Sequence, residues 1–113
     1  MDCLFCKIAA GEIPSQKVYE DDVCLAFKDI DPQAPTHVLF IPKRHIASAA
    51  AVNPENSADV AHIFEKIGPV AEELGVAEDG FRVVSNIGEA AGQSVPHLHF
   101  HLLGGRELAW PPG

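Results

Sequence analysis

The chain reads as an α+β protein, an antiparallel sheet of about five strands with helices to one side. Three observations predict this. Short apolar runs are separated by turn-forming residues, one stretch alone carries sustained helical periodicity, and the runs that follow it are again strand-like. With 113 residues and 47% hydrophobic against 21% charged composition, residues 1–113 make a single domain with a single core.

Lys17–Glu20 and Val23–Asp29 are strand-like runs joined by Asp21-Asp22, an acidic pair placed as a hairpin turn. Ile30-Asp31-Pro32-Gln33-Ala34-Pro35 cannot continue a central strand, because neither proline offers a ladder donor. His37–Ile41 then resumes an extended, buried pattern. From about Pro54 to Leu74, Val60, Ile63, Phe64, Ile67, Val70, Ala71 and Leu74 recur at three- and four-residue spacing, which predicts the long helix. Gly75 sits where a left-handed cap belongs, and Gly68-Pro69 predicts a kink or an early break. Phe81–Asn86 and Leu98–Leu103 complete the strands.

Sixteen acidic residues against eight basic ones give a net charge of −8, so the long-range field repels nucleic acid and acidic membrane surfaces. A phosphate ligand has to be captured locally. No apolar stretch approaches the ~20 residues of a membrane span, and no leader precedes the domain, so a cytoplasmic protein is expected. Cys3 and Cys6 form C-x-x-C, a spacing shared by metal sites, redox pairs and ordinary buried cysteines. Cys24, in mid-strand, reads as core.

The stretch HLHFHLL places His97, His99 and His101 at every second position. On a strand they share one face, while Leu98, Phe100 and Leu102 enter the core. Two chemistries suit such a row: metal ligation with a further ligand elsewhere, or a nucleophilic imidazole flanked by groups that orient it and stabilise charge. Gly92-Gln93-Ser94-Val95-Pro96 leads directly into the row, supplying turn amides and a hydroxyl suited to an oxyanion.

GQSVPHLHFHLLGGR resembles the histidine-triad signature of the HIT superfamily. KIAAGEIPS, LAFKDIDPQAPTHVLFIPKRHI and GGRELAWPPG extend the likeness over nearly the whole chain, toward the branch that hydrolyses nucleoside phosphoramidates. The resemblance implies a HIT-like fold with a short N-terminal helix beside the long one, a two-fold homodimer, and a purine nucleoside 5′-phosphoramidate as substrate.

Residue by residue, it implies that His99 is the nucleophile forming a nucleotidyl-histidine intermediate. His101 meets phosphate oxygens, His37 supports the site from behind, and Ser94 contacts the leaving amine. Asn86 and Gln93 match phosphate contacts, and Asp29 matches the acid that takes the ribose hydroxyls. Leu4, Phe5, Ile8, Ile13, Phe27, Ile30 and Leu39 match the apolar walls around the base. Trp110, in the closing Trp-Pro-Pro-Gly, matches a tail that reaches toward the site across the dimer. Some relatives bind structural zinc, and Cys3, Cys6, His45 and His97 would supply a closed Cys₂His₂ set; no cofactor is required for the chemistry. His97 otherwise orients the site through its carbonyl, which can accept the ring proton of His99. The alternatives are a dinucleoside polyphosphate hydrolase using the same nucleophile, and a nucleotide-binding adaptor with incidental turnover.

Overall fold

The computed structural model describes residues 3–113, in the order α1 (Leu4–Ala9), β1 (Lys17–Glu20), β2 (Cys24–Lys28), β3 (Thr36–Pro42), α2 (Ser57–Glu73), β4 (Phe81–Val84) and β5 (Phe100–Gly104). The five strands form one antiparallel sheet in the order β1-β2-β3-β5-β4. The last strand in sequence is thus inserted between β3 and β4.

Asp21 makes the first hairpin. Its Oδ1 accepts the amides of Val23 at 2.8 Å and Cys24 at 2.9 Å, and its own amide bonds the carbonyl of Cys24. Oδ2 accepts the Tyr19 hydroxyl at 2.6 Å and faces His62 Nε2 at 2.6 Å, so the same carboxylate ties the turn to α2. Burial opposes its charge, but these bonds outweigh it and hold the carboxyl well below the usual carboxylate range.

The helices lie against opposite faces of the sheet rather than on one side. Ile63, Ile67, Val70 and Ala71 of α2 pack on Cys24, Ala26, Val38, Phe40, Phe100 and Leu102. Phe5 and Ile8 of α1 pack on Leu25, Phe27, Leu39 and Ile41 from the other face. Alternation along β2 and β3 makes this possible, because both sets of side chains are apolar and both are buried. Cys24 is in the core as expected.

The long helix runs unbroken through Pro69 to Glu73. Proline lacks the amide that would bond the carbonyl of Glu65, but Glu65, Gly68 and Pro69 are all exposed, so the break in the ladder falls on the solvent side of the helix, where it costs least. Gly75 ends the helix at φ 77°, with the Val76 amide bonding the Ala71 carbonyl at 3.1 Å. Gly104 closes β5 where a Cβ would stand 3.0 Å from Val76, a contact only glycine avoids. Among the described residues, no helix is long and apolar enough to cross a membrane.

Candidate active site

The three triad histidines occupy the face that carries α1, opposite the core-facing Leu98, Phe100 and Leu102. Only His101 lies within β5; His97 ends a bend and His99 lies in irregular chain before the strand, held where the Leu98 amide bonds the Ile46 carbonyl at 2.6 Å. The face is not solvated: His97 is wholly buried and His99 nearly so, with the Phe5 ring edge-on to His99 at 5.1 Å.

Main-chain partners assign each ring a distinct hydrogen-bonding state. His99 Nδ1 lies 2.7 Å from the carbonyl of His97, which can only accept, so Nδ1 carries the proton and Nε2 keeps a lone pair. His97 Nε2 lies 2.8 Å from the Pro42 carbonyl, so it donates there and leaves Nδ1 bare. The Gln33 amide donates to His37 Nδ1 at 3.0 Å, which puts the proton of His37 on Nε2. That proton points at His101 Nδ1, 2.8 Å away, so a neutral His101 carries its own proton on Nε2. Burial, with His99 and His37 as like-charged neighbours, lowers the His101 pKa to about 4, and burial lowers that of His37 too. Both rings are neutral at physiological pH.

Asp29 completes this row. Its Oδ2 lies 3.4 Å from His37 Nε2, while Oδ1 caps the Asp31 amide at 2.8 Å. That cap turns the chain so that Ile30 stands fully in solvent, outside the buried apolar layer. Phe5, Ile8, Phe27 and Leu39 do form one buried layer with Ile13 against it, whereas Leu4 is exposed.

The loop before the triad is organised by Gln93 rather than offered by it. Gln93 Oε1 accepts the Gly88 amide at 2.9 Å, and Nε2 donates to the Ala47 and Val95 carbonyls at 2.8 and 3.2 Å. Both the carbonyl oxygen and the amide nitrogen of Gln93 are thereby engaged with the loop. Ser94 is exposed and Asn86 half-buried, and neither makes a hydrogen bond among the described residues. Ser85, which the sequence reading passed over, donates to the His99 carbonyl at 2.9 Å. Trp110 is exposed, in a tail whose Leu108 and Ala109 carbonyls accept from Arg82 at 3.3 and 2.9 Å. A cleft of about 1070 Å³ between that tail and β4 lies away from the histidines.

Cys3, Cys6, His45 and His97 come together as expected, their four ligand atoms within 4.8 Å of one another, and can hold a metal ion. The bare Nδ1 of His97 faces Cys3 Sγ at 3.2 Å and Cys6 Sγ at 3.4 Å, and His45 Nδ1 is 3.3 Å from Cys6 Sγ. Donation from His97 to Pro42 fixes the tautomer needed for ligation, as an outer partner does at metal-binding histidines. Without a cation this set is costly to ionise: burial and the adjacent Cys3 push the Cys6 thiol up to about 11. Two thiols and two imidazoles suit Zn²⁺ in type and number.

Fold and histidine row together are those of one protein class, and sequence comparison identifies it. Residues 10–108 match the HIT domain, and the chain belongs to the HIT family. It is 53% identical over 112 residues to an uncharacterized HIT-like protein of Synechocystis, covering 99% of this chain and 97% of that one. Identity to the purine nucleoside phosphoramidase of Escherichia coli K12 is 45% over 107 residues, covering 95% and 90%. A HIT family hydrolase from Legionella pneumophila superposes with TM-score 0.96 at 53% identity, covering 99% of this chain and all of that one. A histidine triad protein from Clostridium difficile gives 0.93 at 50%, covering 96% and 95%.

Proposed function

We propose that the protein hydrolyses purine nucleoside 5′-phosphoramidates at the P–N bond, as a homodimer. The observation that carries this reading is the opposite presentation of two neighbouring rings, a bare Nε2 on His99 and a protonated Nε2 on His101. One is a nucleophile and the other a donor to phosphate oxygen.

In this reading His99 Nε2 attacks the α-phosphorus, the P–N bond breaks, and the amine departs with a proton taken from solvent, leaving a nucleotidyl-histidine; the water of the second step returns a proton to solvent. The His97 carbonyl stabilises the positive charge that grows on the ring through the Nδ1 proton. Water then attacks phosphorus and returns His99 to its starting state, releasing the nucleoside monophosphate. His101 donates to the oxygens that gain charge in both steps, and His37 holds His101 in the donating state. Asp29 accepts from the ribose hydroxyls, Asn86 and the loop amides around Gln93 meet phosphate, and exposed Ser94 approaches the leaving amine. The buried layer of Phe5, Ile8, Phe27 and Leu39 offers the base an apolar rim, which selects purines by surface area. Identity of 45% to a purine nucleoside phosphoramidase supports the substrate class.

Cys3, Cys6, His45 and His97 would hold structural Zn²⁺, which would fasten α1 to the triad without entering the chemistry. Trp110 and its neighbours belong to the leaving-group side, reached from the partner subunit.

The deciding experiment compares adenosine 5′-phosphoramidate with diadenosine polyphosphates on one preparation. The phosphoramidate is expected to be the better substrate by kcat/KM. A clear preference for the polyphosphate would reassign the protein to dinucleoside polyphosphate hydrolysis, and tight AMP binding without cleavage of either would make it an adaptor.

A further inference from the structure

We propose that Asp29 couples sugar recognition to catalysis, so that ribose hydroxyls on its carboxylate set the hydrogen-bonding state of His101 through His37. The proposal rests on the nucleotide reading above, and goes beyond it by making the sugar a determinant of turnover as well as of binding.

The geometry is a competition for one hydrogen. The Gln33 amide occupies His37 Nδ1, so His37 has a single ring proton, on Nε2. Two acceptors face it: His101 Nδ1 at 2.8 Å and Asp29 Oδ2 at 3.4 Å. When the proton serves His101, the phosphate-facing nitrogen of that ring is a donor. When the carboxylate draws it away, nothing in the row fixes the His101 tautomer, and the Nδ1–H form would present a lone pair to phosphate oxygen. A lone pair against an oxyanion is repulsive and forfeits a donor at the reacting group.

Ribose binding removes the competitor. The Asp29 side chain is 17% exposed and His37 only 4%, so the carboxylate is reachable from outside while the ring is not. Its Oδ1 already accepts the Asp31 amide, whereas Oδ2, the oxygen that faces His37, accepts no amide and has the more acceptor capacity to spare. Hydroxyls donating there spread the carboxylate charge and weaken its pull on the His37 proton, which then serves His101 alone. The low proton affinity of His101 agrees with a ring that works as a neutral donor. A sugar lacking the 2′-hydroxyl caps Asp29 incompletely, and part of the population then carries His101 in the wrong state.

The test uses the full-length protein with ¹⁵N-labelled histidine, titrated with AMP and with 2′-deoxy-AMP, beside steady-state kinetics on the two corresponding phosphoramidates. With AMP, His101 is expected to show a protonated Nε2 and an unprotonated Nδ1, and with 2′-deoxy-AMP averaged values between tautomers. The deoxy substrate should lose about tenfold in kcat in addition to any rise in KM. Asp29→Asn keeps an acceptor for the Asp31 amide but removes the charge, so its His101 signals and kcat should no longer distinguish the two sugars. Identical His101 signals in the two native complexes, or a sugar effect confined to KM, overturns the coupling. Failure of the enzymatic reading looks different: AMP binds, neither phosphoramidate turns over, and the NMR comparison still decides the coupling. If AMP does not bind, both readings fall.

Discussion

The ring of His99 is aimed by the main chain of His97: Nδ1 of one sits 2.7 Å from the carbonyl of the other, two residues back in the segment that leads into β5. A residue that directs its neighbour by its carbonyl and a metal set by its ring serves two sites at once. Replacing His97 by a non-ligating residue should keep the carbonyl and lose the fourth ligand, whereas replacing His99 removes the proposed nucleophile.

His99→Ala should therefore reduce turnover of adenosine 5′-phosphoramidate by at least about 10³-fold, while AMP affinity changes only a few-fold. Isothermal titration beside the kinetics checks both halves. Nucleotidylation trapped on another residue of the native protein would displace His99 from its role.

Reconstitution under reducing conditions should give about one zinc per chain and a higher Tm than the stripped protein. Changing Cys3 and Cys6 together to Ser should abolish metal uptake and loosen α1, because Cys3 also caps that helix by accepting the Cys6 amide at 3.3 Å. Hydrogen exchange over residues 4–9 reads the loosening; unchanged uptake in the double variant contradicts the ligand assignment.

Stability should fall with acid in a window set by the buried rings. The pKa of His101 is about 4 in the folded chain against an ordinary value near 6.5, so between these values the unfolded chain binds more protons and stability drops as pH falls from about 6.5 to 4. His37, also lowered, adds to the same slope. Urea titrations across this range should show a shallower dependence for His101→Gln than for the native protein.

Asp21→Ala should cost about 1–3 kcal/mol of stability, since it strips acceptors from two turn amides and from Tyr19 and His62 together. Activity per folded molecule should stay near native, because this network lies at the β1–β2 turn and α2. A loss of kcat without a loss of stability would contradict that separation.

Deletion of residues 110–113 should reorder the preference among phosphoramidates bearing different amines while leaving AMP affinity within about twofold. Arg82→Ala, which frees the tail carbonyls of Leu108 and Ala109, should shift the ranking in the same direction. An unaltered ranking in both proteins would reduce the tail to local packing.

Side-chain patterns made most of this legible beforehand. The strands, the long helix and its glycine cap were readable because apolar spacing and turn chemistry are local. The Cys₂His₂ set emerged from residues distant in sequence only through family likeness. What stayed hidden is carried by the main chain: the Gln33 amide and the Pro42 carbonyl set the ring states of His37 and His97, and every residue type has such groups; the bond of the His97 carbonyl to His99 was expected and is present. The loop-bracing part of Gln93 was hidden for the same reason, since its amide bonds main-chain groups of Gly88, Ala47 and Val95. The exposure of Ile30 was not readable from its apolar character, because it follows from the Asp29 cap on Asp31.

The insertion of β5 between β3 and β4 bears on how the protein is made. During synthesis β3 leaves the ribosome with one flank unpaired, and its partner arrives only after about sixty further residues. The bonds that register the catalytic segment are all long in sequence, so a half-emerged chain holds an apolar ribbon with an open edge and no assembled active site. Nascent-chain lengths ending before residue 104 should accordingly be protease-sensitive across β2 and β3, with protection and nucleotide binding arriving together in one late step.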